Sequence, residues 1–141
     1  MSVADLDALA DALGGFDLAA CTTGPYIGKG TFGSVVQVKY RGSTYAVKQI
    51  TPASVEDTPR VLREVELMFW LRHPGLVEPH GVHVSHLPPP LNRCMVSILM
   101  ELCAGGDLAA LLNARHPLGE ADVLALLAQL ITAVSFLHDA G

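Results

Sequence analysis

Gly28, Gly30 and Gly33 stand at G-x-G-x-x-G spacing, and a single lysine, Lys48, closes the later run Tyr-Ala-Val-Lys. Glycines at this spacing let a backbone turn sharply and approach a bulky anion, because no Cβ intrudes. Their exposed N–H groups can face phosphate oxygens. The chemistry these residues suit is the holding of a polyphosphate. Two phosphate-binding patterns are excluded by the residues after the glycines. A dinucleotide-binding turn needs a helix opening at the glycines and an acidic residue about 20 residues on. Here Gly33 leads into Ser-Val-Val-Gln-Val-Lys-Tyr, whose β-branched residues suit a strand, and no Asp or Glu occurs between Gly28 and Ile50. A Walker loop fails as well, since no Gly-Lys-Ser/Thr stands at the required distance. What remains is a glycine-rich hairpin between two strands, then a third strand ending in Lys48.

Charge is distributed in keeping with that reading. The chain of 141 residues carries a net charge of −5, which argues against a general nucleic-acid binder. Residues 1–28 hold Asp5, Asp7, Asp11 and Asp17 without a Lys or Arg, whereas residues 29–48 hold Lys29, Lys39, Arg41 and Lys48 without an acid. A small basic island on an acidic chain suits a compact polyanion better than a long polymer. Half of the residues are hydrophobic and 16% are charged, which suits one folded domain rather than disorder. Cys21, Cys94 and Cys103 are odd in number and form no C-x-x-C pair, as expected in a reducing compartment such as the cytoplasm. Asp5, Asp7 and Asp11 interrupt any signal-peptide pattern. No uninterrupted apolar run reaches the length of a membrane span, so no membrane partner is expected.

The elements that must position the lysine and glycines can be placed from periodicity. Val3, Leu6, Leu9 and Leu13 predict a short amphipathic helix, stopped by Gly14-Gly15, as an N-terminal extension over residues 1–15 outside the main fold. Phe16 to Tyr26 leads into the first strand, Thr31-Phe32 makes the hairpin tip, and Arg41-Gly42-Ser43 the next turn. A helix is predicted from Arg60 to about Arg72, ended by His73-Pro74-Gly75 because proline disfavours helix in the residue before it. Leu76 to Val84 reads as a strand in which Pro79 calls for an edge position or a bulge. Met95 to Met100 reads as a buried strand. Asp107 is a natural N-cap for a short helix from Leu108 to about Ala114. A final helix runs from Glu120 to about His138, apolar over so wide an arc that it expects partners on several sides. His80, His83 and His86 do not make a metal site, because odd offsets on a strand point side chains to opposite faces.

Gly28-x-Gly30-x-x-Gly33-x-Val35, Ala46-Val47-Lys48 and a helix carrying Arg63-Glu64-Val65-Glu66 occur in the order and spacing of the protein kinase family. From residue 16 to 141 the chain resembles the amino-terminal lobe of a serine/threonine-type kinase. The resemblance implies an α+β fold: a five-stranded antiparallel sheet with one helix of the αC type and a hinge over 16–103, then two helices of an incomplete carboxy-terminal lobe over 104–141. It implies that Ile27, Gly28, Lys29, Gly30 and Gly33 cover the phosphates of ATP, and that Lys48 holds the α- and β-phosphates. Glu64, nine residues before His73, takes the place of the family's lysine-pairing carboxylate. Glu66 competes for that role; the two stand about 200° apart around a helix, so one at most can face Lys48. Val35 and Ala46 would roof the adenine and Leu108 would contribute to its floor. Met100 takes the gatekeeper position, and Glu101 and Cys103 would bind adenine through backbone groups. Asp107 matches the acid that reaches the ribose hydroxyls, alongside its plain reading as an N-cap.

The departures are as informative as the matches. Neither His-Arg-Asp nor Asp-Phe-Gly occurs in the 141 residues. The substrate base and the Mg²⁺ ligands of the complete family therefore have no counterpart, and no catalytic or metal residue is assigned. Pro79 replaces a strand leucine that usually supports the helix. The expectation is an ATP-binding portion of a kinase, inactive alone, acting on a protein substrate only when completed. The alternative is a catalytically inactive nucleotide- or partner-binding module.

Overall fold

A computed structural model describes residues 3–30 and 33–141. The hairpin tip assigned to Thr31-Phe32 lies outside the described residues. The chain divides into two compact units, one running through Trp70 and resuming at Glu78–Leu102, the other formed by Leu71–Val77 with Cys103–Gly141.

The first unit contains α1 (Val3–Ala12), β1 (Thr22–Gly30), β2 (Gly33–Tyr40), β3 (Ser43–Ile50), α2 (Thr58–Trp70), β4 (Pro79–His86) and β5 (Cys94–Glu101). Its strands form one antiparallel sheet in the order β1-β2-β3-β5-β4. Strand alternation explains how one sheet serves two cores. Ala46, Ile50, Val82, Val96, Ile98 and Met100 pack on the side that receives Val65, Val61, Met68 and Phe69 of α2. Phe16, Val38, Tyr40, Val47 and Leu99 build the core on the opposite face.

Local chemistry sets the boundaries. Pro59 falls one residue inside α2, where a missing N–H costs nothing, so the helix starts two residues before the sequence expectation. It ends at Trp70, short of the His73-Pro74 stop. Pro79 opens β4, which is an edge strand, and the register shifts between Pro79 and Gly81. Both accommodations that a strand proline calls for are therefore present. Between Phe16 and β1 the chain makes a 3-10 turn at Leu18–Ala20, capped by Asp17, in place of a continuous approach to the strand. The N-terminal helix, whose docking the sequence leaves open, is seated on β4: Leu6 and Ala10 are buried, and Ala10 and Leu13 join the core that α2 covers.

The second unit contains α3 (Leu108–Ala114) and α4 (Glu120–Asp139). The His73-Pro74-Gly75 turn packs on α4. His73 stacks on Phe136 with ring centroids 5.0 Å apart, and a Cβ on Gly75 would stand 2.8 Å from that of Ala133. Ala133 is the buried residue of α4, whereas Leu124, Leu130 and Ile131 are each more than half exposed. By length and composition alone α4 is apolar enough to cross a membrane, although Glu120, Asp122, Gln129 and Thr132 interrupt its apolar run. The same composition equally describes the core helix of a globular protein.

Candidate functional site

The site is built on the face of the sheet that α2 covers. Lys48 stands directly opposite Val35 of β2 and Ile98 of β5, and Ala46 opposite Met100. Because strand side chains alternate, Lys48 belongs to the row of Ala46 and Ile50, both in the α2-side core. A half-buried lysine in an apolar row is placed there against its solvation preference, which calls for a charged or polar partner. Among the described residues Lys48 forms no ion pair.

β1 and β2 bring Gly28 opposite Val35, Lys29 opposite Ser34 and Gly30 opposite Gly33, with register shifts on either side of Tyr26. Two of these glycines have different reasons to be glycine. Gly33 has φ +149°, and a Cβ there would collide with the carbonyl oxygen of Gln49. Around Gly28 a Cβ would meet nothing within 4 Å. The fold demands the first glycine and not the second. Ile27 is exposed and Val35 half buried.

Glu64 lies on the rim of the buried arc of α2, next to Val61, Val65 and Met68. Its side chain is 54% exposed and pairs with Arg60 at 3.8 Å, one helical turn earlier. Glu64, Lys29, Gly33, Ser34 and Gln49 line one cavity of about 600 Å³. Lys48 is not part of that wall, although its neighbour Gln49 is. The structure thus gathers Glu64 with the glycine hairpin and leaves Glu66 off this wall. It does not join Lys48 to Glu64. Arg60, the partner that sequence reasoning passed over, was visible as an i,i+4 spacing of opposite charges.

The far end of β5 carries Met100, Glu101 and Leu102. Met100 is buried in the α2-side core. Glu101 and Glu78 clasp each other: the Glu101 N–H donates to the Glu78 carbonyl at 2.9 Å, and the Glu78 N–H donates to Glu101 Oε1 at 2.8 Å. The clasp commits the Glu101 N–H inside the protein, a constraint that sequence reasoning did not foresee. In the second unit, Cys103 is exposed and its carbonyl accepts from Gly106 N–H at 3.1 Å. Asp107 caps α3, its Oδ1 accepting from Ala110 N–H at 2.7 Å. Leu108, one residue on, is 52% exposed. The three histidines of β4 have separate roles. His80 meets the Tyr45 ring, His83 the Phe16 carbonyl, and His86 the carboxylate of Asp7. Among the described residues no group of three or more His, Cys, Asp or Glu could hold a metal ion.

Sheet order, glycine hairpin, strand lysine and covering helix together define an amino-terminal-lobe architecture of the kinase class. The chain matches the protein kinase domain family over residues 21–141, and it belongs to that family. It is 37% identical over 126 residues to CBL-interacting protein kinase 4 of Oryza sativa, covering 84% of this chain and 26% of that protein. Identity to the MAP kinase kinase kinase SSK2 of Saccharomyces cerevisiae is 33% over 125 residues, 82% of this chain and 7% of that protein. Against NUAK family SNF1-like kinase 2 of Rattus norvegicus it is 30% over 119 residues, 82% of this chain and 18% of that protein. The chain therefore spans about a quarter or less of the length of these relatives.

Proposed function

We propose that this chain is the ATP-holding portion of a serine/threonine protein kinase. The glycine hairpin covers the phosphates, with Ile27, Gly28, Lys29, Gly30 and Gly33 contributing backbone. Lys48 contacts the α- and β-phosphates, and Glu64 positions Lys48 when the Arg60 pair is released. Val35 and Ala46, on the Lys48 face, roof the base next to Met100. Glu101 contributes its carbonyl to the base, since its N–H is engaged. The observation that carries this reading is Lys48 in an apolar row directly opposite Val35, beside a glycine, Gly28, for which the fold itself has no need.

ATP fits these residues by charge and by backbone access. No Mg²⁺ ligand is assigned, because the Asp-Phe-Gly motif that supplies it in the family does not occur in these residues. Transfer of the phosphoryl group to a protein hydroxyl depends on metal and charge placement. It is proposed for the whole protein, and these residues alone do not supply it. The three cysteines are free, as suits a reducing, cytoplasmic setting.

Amine acylation of Lys48 in the 141-residue chain, followed by peptide mass spectrometry, tests the assignment. ATP should slow labelling of Lys48 while adenosine leaves it unchanged, because the proposed contact is to phosphate. Equal protection by both, or by neither, overturns it. A second reading, a nucleotide-free partner-binding module, is favoured by the Arg60–Glu64 pair, which leaves Lys48 without its carboxylate. The same experiment separates the two.

A further inference from the structure

Residues 3–21 wrap the β4 edge of the sheet and touch both of its faces. Ala10 and Leu13 enter the core covered by α2, whereas Phe16, Leu18 and Cys21 enter the core on the other face. Between them Gly14, at φ +90°, turns the chain past the edge, and Gly15 makes a parallel bridge to Val82. An uncovered edge strand would present unpaired backbone groups, so this segment performs a protective task. Gly81 is shaped for it: a Cβ there would stand 2.7 Å from the Gly14 carbonyl oxygen and 3.2–3.3 Å from Phe16. The Phe16 ring meets Tyr40 and His83 edge-on, each with centroids 5.9 Å apart.

The attachment is nevertheless lighter than the sheet's own ladders. One backbone tie runs from Val82 N–H to the Gly14 carbonyl at 3.3 Å. His86 Nε2 lies 3.2 Å from the Asp7 carboxylate with both side chains about half exposed, so solvent weakens the contact. His83 Nδ1 lies 3.1 Å from the Phe16 carbonyl. A cavity of about 570 Å³, lined by Asp7, Ala10, Asp11, Phe16, Val82 and His83, lies between α1 and β4. A segment held by a few buried side chains and exposed polar contacts opens at a lower free energy than the strands it covers.

We propose that residues 3–21 are a detachable strap whose docking on β4 sets the packing of α2. The link is the shared core: Ala10 and Leu13 of the strap, Val82 and Val84 of β4, and Val61, Val65 and Met68 of α2 belong to one cluster. When the strap leaves, that cluster loses one wall and α2 loosens. The consequence for Glu64, which α2 carries, rests on the nucleotide reading above; the coupling itself does not.

Amide hydrogen exchange of the full 141-residue chain, read by peptide in the absence of nucleotide, tests the coupling. Leu6→Ala removes an anchor from the strap, and Gly81→Ala pushes on it from the sheet. In either variant, exchange in residues 3–21 should accelerate by roughly tenfold or more. Exchange in α2 should rise with it, while β2 and β3 keep their protection. A loosened strap over an unchanged α2 overturns the proposal, as does a strap that neither variant loosens. Uniform loss of protection across the sheet also overturns it, because the strap would then be one cooperative unit with the core. Nucleotide plays no part, so failure here leaves the Lys48 assignment standing.

Discussion

The sheet and α4 are both rich in apolar residues, yet they use them differently. In the sheet, Val47, Val82, Val96 and Ile98 are essentially inaccessible, and Lys48 stands out as a charged residue in one row with the buried Ala46 and Ile50. In α4, Leu124, Leu127, Leu130, Ile131 and Val134 face solvent, and the polar residues that interrupt them satisfy themselves locally. Thr132 Oγ1 donates to the Ala128 carbonyl at 2.7 Å, and Gln129 Nε2 to that of Ala125 at 3.4 Å. A polar group carries functional information where its surroundings make it costly. The same group on an open helix carries little.

That contrast has measurable consequences. The largest is in stability: Ile98→Ala should cost about 2–5 kcal/mol through a cavity that the sheet cannot refill. Leu130→Ala on α4 should stay within roughly 0.5 kcal/mol. Chemical denaturation of both variants checks this, and similar costs at both sites would erase the distinction.

A finer contrast lies within the hairpin. Gly33→Ala places a Cβ against the Gln49 carbonyl at a φ that side chains rarely adopt. It should lose on the order of 1–3 kcal/mol. Gly28→Ala should leave the melting temperature unchanged and weaken ATP binding. If Gly28→Ala destabilises as much as Gly33→Ala, the spacing serves the fold alone.

The smaller effects concern α3 and the cysteines. Asp107→Ala removes the side-chain acceptor for Ala110 N–H. It should cost about 0.5–2 kcal/mol, seen as fraying of α3 in amide exchange. Burial and the Asp7 carboxylate both push the Cys94 thiol up. Near neutral pH it should alkylate more slowly than exposed Cys103, and gain reactivity only as pH climbs above the ordinary thiol range. A Cys94 that reacts first would contradict its described surroundings.

Much of this could be read from residue order. Turn residues and alternation located the hairpin and β3, Asp107 located the start of α3, and Pro79 announced an edge position or a bulge. Those signals are local, so they survive folding unchanged. The seating of α1 was not legible, because Leu6, Ala10 and Leu13 make the same pattern on a docked helix as on a solvated one. What decides it is Gly81, 67 residues from Gly14, which lacks the Cβ that would exclude the Gly14 carbonyl. The partner of Glu64 was hidden for a related reason. Family spacing names Lys48, while the helix itself offers Arg60 one turn away. Such an exposed pair is worth only about 0.3–0.5 kcal/mol, little enough for a bound polyanion to reverse.

The central claim is that Lys48 holds phosphate. Calorimetric titration of the 141-residue chain and its Lys48→Met variant with ATP and with adenosine tests it directly. Losing one charge-assisted contact costs on the order of 1.5–3 kcal/mol, so ATP affinity should fall roughly tenfold to a hundredfold. Adenosine affinity should not change. An unaltered ATP affinity in Lys48→Met, with the fold intact, would contradict the account.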